Sequence, residues 1–247
     1  MKPATNCLQM DVGNSSAKWR LVSDGCVVAR GKYSVDDDRS RQLLLACTDQ
    51  PGQIWISSVA APEAEAALAG MLVGMWGVEP WFARTQARSG SLLNSYDDAS
   101  RMGVDRWLVM LAARQREAER FCVIDAGSAL TIDLVGASGQ HEGGYIIPGP
   151  ALMERALLLD TDRVRFEEEV GYGLSPGSST AEAVRHGIAL AQAGAVALAI
   201  DRVAVAPLKL FFCGGGGELL MGLLDRGGSY EPDLVFEGLE VMADYDA

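Results

Sequence analysis

Histidine occurs only twice in the 247-residue chain, and the five cysteines (Cys7, Cys26, Cys47, Cys122 and Cys213) are scattered with no C-x-x-C spacing. Zinc centres need clustered Cys and His ligands, so none is expected here. An odd number of dispersed thiols, mostly inside apolar runs, reads as reduced cysteine in a cytoplasmic protein. Basic residues are also scarce, with 21 Lys and Arg against 33 Asp and Glu and a net charge of -12. No run of Lys or Arg appears, so neither nucleic acid nor an anionic membrane is an expected partner. The first residues, MKPATNCLQMDVGN, lack an apolar segment of signal-peptide length. The longest apolar-rich stretch, Ile188 to Val205, contains Gln192 and Asp201 and predicts a core helix rather than a membrane span. What the chain does have is a composition 49% hydrophobic and 22% charged, which fits a well-cored globular protein.

The two halves of the chain echo each other. Cys7 to Asp11 reads as a strand and Gly13-Asn14-Ser15 as a bend, followed by strands at Ala17 to Val22 and Cys26 to Arg30. Phe121 to Asp125 repeats the pattern and ends in the same Asp-x-Gly. A bend with Ser128 follows, then strands at Leu130 to Val135 and Glu142 to Ile147. Each meander then gains a parallel strand through a helical crossover. The first half adds a strand at Ile54 to Val59, a helix at Pro62 to Met75 and a strand at Pro80 to Ala83. The second adds a strand at Leu208 to Cys213, a helix at Glu218 to Leu224 and a strand at Asp233 to Phe236. A helix from Val104 to Arg120 links the halves, with Val104, Leu108, Leu111 and Ala112 at helical spacing. The expectation is an α/β fold of two tandem domains, residues 1–117 and 118–247, each a mixed five-stranded sheet flanked by helices.

An Asp at the end of a strand, followed at once by a glycine bend, suits phosphate binding. Glycine lets the backbone approach a phosphate, turn N–H groups and hydroxyls donate to its oxygens, and the carboxylate holds a metal ion directly or through water. One such turn is ordinary hairpin chemistry, but two in the same place of a repeated unit point to a pincer on the β- and γ-phosphates of ATP. Gly214 to Gly217, between a buried strand and a helix, reads either as a close approach to adenine and ribose or as a flexible turn. Other nucleotide motifs fail. Gly25 to Lys32 has the wrong spacing for a P-loop, with Tyr33 in place of Ser or Thr, and Gly171-x-Gly173 lacks a preceding strand and a third glycine. Between the halves lie Tyr96 and Gly103-Val104-Asp105-Arg106. Asp105 either favours the helix dipole or accepts the proton of an attacking hydroxyl. Arg106 is either a surface charge or a grip on a substrate carboxylate.

With DVGNSSAKW (Asp11 to Trp19), GVDR (Gly103 to Arg106), DAGSALTID (Asp125 to Asp133), GGYIIPG (Gly143 to Gly149) and PGSST ending at Thr180, the chain resembles the type III pantothenate kinases of the acetate and sugar kinase/Hsp70/actin superfamily. The resemblance implies a duplicated ribonuclease H-like fold, as in the actin-like ATPases. It also implies ATP-dependent phosphorylation of pantothenate at its primary hydroxyl, the first step of coenzyme A biosynthesis. By this correspondence Asp11, Val12, Gly13, Asn14, Ser15, Ser16, Ala17 and Lys18 bind ATP, and Ser128 meets its phosphates. Asp11 faces Mg²⁺-ATP, directly or through water, and Asp125 lies at a monovalent cation site for K⁺ or NH₄⁺. Tyr96, Gly103, Val104, Asp105, Arg106 and Thr180 contact pantothenate, and Asp105 is the general base. The family implies a homodimer that completes part of the pantothenate pocket across its interface. Ser15 and Ser128 stand where the family usually has Thr, keeping the hydroxyl, and Leu130 replaces a small or polar residue. Two rival readings are a kinase of the same fold with another small hydroxylated acceptor and a non-catalytic ATP-binding regulator.

Overall fold

The structure, a computed structural model, describes residues 6–13, 16–203 and 208–246. Asn14 and Ser15, both expected to bind ATP, lie outside the described residues. The chain divides into two compact units. The first comprises Met1–Gly90, Tyr96–Ala112 and Val235–Ala247; the second comprises Ser91–Ser95 and Ala113–Leu234.

The first unit is built on β1 (Cys7–Val12), β2 (Ala17–Ser23), β3 (Cys26–Tyr33), α1 (Asp38–Leu45), β4 (Gln53–Ser58), α2 (Pro62–Trp76) and β5 (Trp81–Phe82). Its sheet runs β3-β2-β1-β4-β5, with the meander antiparallel and β4 and β5 added parallel. Parallel addition requires a crossover, and α2 supplies one. Pro62 starts that helix and Gly77, at φ 66°, ends it in the left-handed conformation. Leu8, Met10, Ile54, Ile56, Leu68 and Leu72 form the buried centre of this unit.

After β6 (Arg88–Ser89), β7 (Leu92–Leu93) and a 3₁₀ turn at Ala99–Arg101 comes α3 (Val104–Arg116). The amphipathic spacing expected for this helix understates its burial, since every residue from Arg106 to Ala113 is buried. The helix also stops four residues short of the expected Arg120. Arg114 caps it by donating to the Glu117 and Ala118 carbonyl oxygens, and Glu119 N–H turns back to the Glu117 carboxylate.

The second unit repeats the first sheet with β8 (Phe121–Ala126), β9 (Ala129–Val135), β10 (His141–Pro148), β11 (Lys209–Cys213) and β12 (Ser229–Tyr230), in the order β10-β9-β8-β11-β12. Pairing directions match as well, antiparallel within the meander and parallel for β8, β11 and β12. Its helices are α4 (Pro150–Asp160), α5 (Thr180–Val203) and α6 (Gly217–Leu224); the helix that follows, α7 (Leu234–Asp246), belongs from Val235 onward to the first unit. The duplicated α/β arrangement expected from the strand patterns is therefore present.

His141 and Asp133 are fully enclosed, with Nε2 3.0 Å from Asp133 Oδ1 and Nδ1 2.8 Å from Ser95 Oγ. A carboxylate only accepts, so Nε2 carries the proton and Nδ1 receives the Ser95 hydroxyl.

One expected element is wrong. Asp233 to Phe236 is no strand, because α7 begins at Leu234 and the edge strand β12 lies earlier, at Ser229–Tyr230. Long-range packing decides this. Glu240 Oε1 accepts from Gln9 Nε2 (3.0 Å) and Arg20 Nη2 (3.1 Å), Arg20 Nε donates to Gln9 Oε1 (2.7 Å), and the guanidinium lies 4.8 Å from the centre of the Phe236 ring. Gly238 lets α7 lie directly on the Leu108 backbone, where a Cβ would overlap the Leu108 carbonyl.

Candidate active site

In the first unit, β1 delivers Asp11 to the end of the sheet. Gly13 N–H closes the hairpin onto Ser16 C=O at 3.0 Å. Across the strands Asp11 is paired with Lys18 on β2 and with Ser57 on β4. Ser57 Oγ donates to Asp11 Oδ1 at 3.2 Å. Val12 and Gly13 are half-buried, Ser16 and Lys18 exposed, and Ala17 buried. Burial pushes the Asp11 carboxyl up to about 6, the negative charge of Asp105 adds to that rise, and Lys18 and the Ser57 hydroxyl pull it back. Asp11 thus pays an electrostatic cost to ionise, and a bound cation would relieve it.

The Asp105 carboxylate reaches this neighbourhood from the first turn of α3. Its Oδ1 accepts from the Arg106 backbone N–H at 2.8 Å. Gly103 is required beside it, since a Cβ there would crowd Asp105 Oδ1 and approach Val59. Val104 is buried and anchors the turn, and Trp107 Nε1 donates to Ser89 Oγ at 3.3 Å. The Arg106 side chain is buried, a position rarely tolerated without partners. Its Nη1 donates to Tyr96 Oη at 3.0 Å, and its guanidinium carbon lies 5.8 Å from the Tyr96 ring centre. Tyr96 itself remains exposed. The first unit therefore brings together Asp11, Lys18, Asp105, Arg106 and Tyr96, residues far apart in sequence. It adds Ser57, which the motif reading missed. The signal for Ser57 was its place on a predicted parallel strand beside β1.

In the second unit Asp125 is the next-to-last residue of β8, paired with Thr131 and Cys213. Gly127 N–H closes this hairpin onto Ala129 C=O at 2.9 Å, leaving Ser128 exposed. Two glycine loops press on it. Gly149 N–H donates to Ser128 C=O at 3.0 Å, and Gly216 N–H to Ala126 C=O at 2.9 Å. Gly214 sits at φ 78°, and a Cβ there would overlap the Asp125 carboxylate. Tyr230 Oη donates to Gly214 C=O at 3.1 Å and steadies the loop. Leu130 is fully buried in the second core, so this departure from the family pattern is a packing residue. Thr180 opens α5 and is exposed.

Among the described residues no group of three or more His, Cys, Asp or Glu could hold a metal ion. The single carboxylate of Asp11 suits a Mg²⁺ that keeps most of its waters and is held largely by phosphate oxygens. Beside Gly214 lie Asp125 Oδ1 and the Ala126 carbonyl oxygen, a donor type suited to a hard cation.

The sequence model of the type III pantothenate kinases matches residues 7–202. The chain belongs to the type III pantothenate kinase family. A type III pantothenate kinase of Hahella chejuensis is 37% identical over 239 residues, spanning 96% of each chain. Among solved structures, one from Campylobacter jejuni described as a conserved Baf family transcriptional activator aligns with a TM-score of 0.62 at 23% identity, covering 97% of this chain and 98% of that one. A Sinorhizobium meliloti structure described as a 2-dehydro-3-deoxygalactonokinase aligns with a TM-score of 0.57 at 14% identity, covering 96% and 97%. At such identities the likeness is one of fold alone.

Proposed function

We propose that the chain transfers the γ-phosphoryl group of ATP to the primary hydroxyl of pantothenate, forming 4'-phosphopantothenate at the first step of coenzyme A biosynthesis. The observation that carries the reading is the meeting of Asp11 and Asp105 in one electrostatic neighbourhood beside the buried Arg106, which donates to the exposed Tyr96. Asp105 takes the proton of the hydroxyl as its oxygen bonds to the γ-phosphorus, the bond to the β-phosphate oxygen breaks, and ADP leaves. Arg106 holds the pantothenate carboxylate, with Tyr96, Thr180 and the Gly103–Val104 turn shaping the acceptor position. Asp11 to Lys18 bind ATP, the Lys18 ammonium lying opposite Asp11, and Ser128 donates to phosphate. Mg²⁺, when bound with ATP, neutralises phosphate charge and would be held on the protein side by Asp11. Asp125 would hold K⁺ or NH₄⁺.

We further propose a homodimer. The exposed stripe of α5 carries Ala183, Gly187, Leu190, Ala191, Gly194 and Leu198 at helical spacing, small enough for a second helix to approach closely. Tyr145 and Ile146 on the edge strand β10 and Leu152 on α4 are exposed as well. Apolar patches of this kind mark association sites. Among the described residues α5 is the one helix long and apolar enough to cross a membrane. Its other side, with Ala193, Val196, Ala199 and Ile200, belongs to the second core, which supports the reading as a soluble helix. None of the five cysteines forms a disulfide. Burial raises the Cys47 thiol to about 11 and that of Cys122 further, as suits inert thiols in the cytoplasm.

The deciding experiment is coupled ADP release with pantothenate, with and without K⁺, against a panel of other hydroxylated acids and sugars. Pantothenate-dependent, K⁺-stimulated turnover is expected. ATP binding without phosphoryl transfer to any acceptor would instead favour a regulatory protein.

A further inference from the structure

Residues 161–179 form neither helix nor strand between α4 and α5. Structureless connections beyond about 12–15 residues are usually functional or disordered, and this one is pinned. Three side chains spaced i, i+3 and i+4 along α5 hold it. Glu182 Oε2 accepts from both Ser178 N–H (2.7 Å) and Ser178 Oγ (2.8 Å). Arg185 Nη1 donates to Val170 C=O at 2.6 Å, and its guanidinium carbon lies 5.6 Å from the centre of the Phe166 ring. His186 Nδ1 is 2.7 Å from Ser175 C=O. Gly177 is needed because a Cβ there would collide with the Ala183 backbone N–H.

Arg185 is the hub of this clasp. Besides the strap contacts, its Nε and Nη2 reach both Glu154 oxygens on α4, at 3.1 and 3.3 Å. One planar fork therefore ties α4, the strap and the opening turns of α5 into a single geometry, which the point charge of a lysine does not reproduce. The strap runs directly into Thr180.

We propose that Arg185 is a positioning residue for the phosphoryl acceptor: by fixing residues 166–179 against α5 it sets the place of the Thr180 hydroxyl and hence the affinity for the pantothenate-class substrate, without touching ATP. The proposal rests on Thr180 contacting the acceptor.

The test is steady-state kinetics on the full-length enzyme. Arg185→Met is expected to raise KM for pantothenate about tenfold or more, with KM for ATP changed less than about twofold and kcat largely kept. Arg185→Lys should recover only part of the loss. Cleavage by a Glu-specific protease at Glu167 to Glu169 should be faster in Arg185→Met and slowed again by saturating pantothenate. Equal rises in both KM values, or an unchanged pantothenate KM, overturn the proposal. Should Arg185→Met fail to fold, Phe166→Leu removes only the ring contact and must give a smaller, acceptor-specific rise; its absence also overturns the proposal. Wild-type turnover on pantothenate is the control. If that is missing, the functional reading has failed; if it is present and the variants behave as wild type, only the positioning role has failed.

Discussion

The two hairpins at the ends of β1 and β8 share a backbone plan and differ in what surrounds the aspartate. By register, Lys18 in the first unit corresponds to Thr131 in the second, and Ser57 corresponds to Cys213. The first hairpin places four residues between the paired Val12 and Ala17, whereas the second places three between Ala126 and Leu130. Asp11 is therefore set among a lysine, a hydroxyl and a second carboxylate. Asp125 is set among glycine backbone, with Gly214 pressed against it. Duplication kept the scaffold, while one copy specialised in charge and the other in close packing.

The largest expected effect that tests this division is at Asp105. Asp105→Asn should lower kcat by about 10²-fold or more, and because its charge helps hold Asp11 up, the acid limb of the residual activity should move below the wild-type value. Near-normal turnover would remove chemistry from the first unit.

Gly214→Ala comes next. It forces a β-carbon into the left-handed region and onto the Asp125 carboxylate, and should cost roughly 2–4 kcal/mol, read as a lowered Tm. An unchanged melt would show that the second hairpin is not built on crowding.

Asp11→Asn should act in the opposite direction on stability. The Asp11 carboxyl is raised from 3.8 to about 6 in the fold, so the native state binds its proton more tightly than the unfolded chain does. That contribution is full below the unfolded value and is lost as pH rises through the window up to about 6. Above it the ionised carboxylate is a net cost, and the variant at pH 8 should gain roughly 1–2 kcal/mol, discounted for partial solvent screening, while losing ATP turnover. A variant less stable than wild type at pH 8 contradicts this account.

The smallest expected effect is at Ser57. Ser57→Ala removes a hydrogen bond to the ionised carboxylate, and the acid limb of kcat/KM for ATP should shift upward by about half a unit. A limb that stays in place would assign it to another group.

Much of this was legible in the sequence. The meanders, the glycine bends and the repeated Asp-x-Gly follow from alternation and turn chemistry within a dozen residues. Asp11, Asp105 and Arg106, proposed for the site, stand in motifs visible in the sequence, whereas the segment around Tyr96 matches the family only loosely. The C-terminal helix was not legible, because Leu234-Val235-Phe236 is a short apolar run compatible with either period. Its state depends on Glu240 meeting Gln9 and Arg20, more than two hundred residues away. Ser57 escaped because it belongs to no motif and matters only through its register opposite Asp11.

The sequence by itself determined the duplicated strand order and the two glycine-cornered turns, since hairpin closure and strand alternation depend on near neighbours. Only the tertiary structure decided that the Asp11 carboxyl is pushed up to about 6, that Arg106 is buried against Tyr96, and that the last helix packs on the first sheet. Desolvation, like-charge proximity and side-chain enclosure are properties of the neighbours a residue acquires on folding, and no local pattern specifies those neighbours.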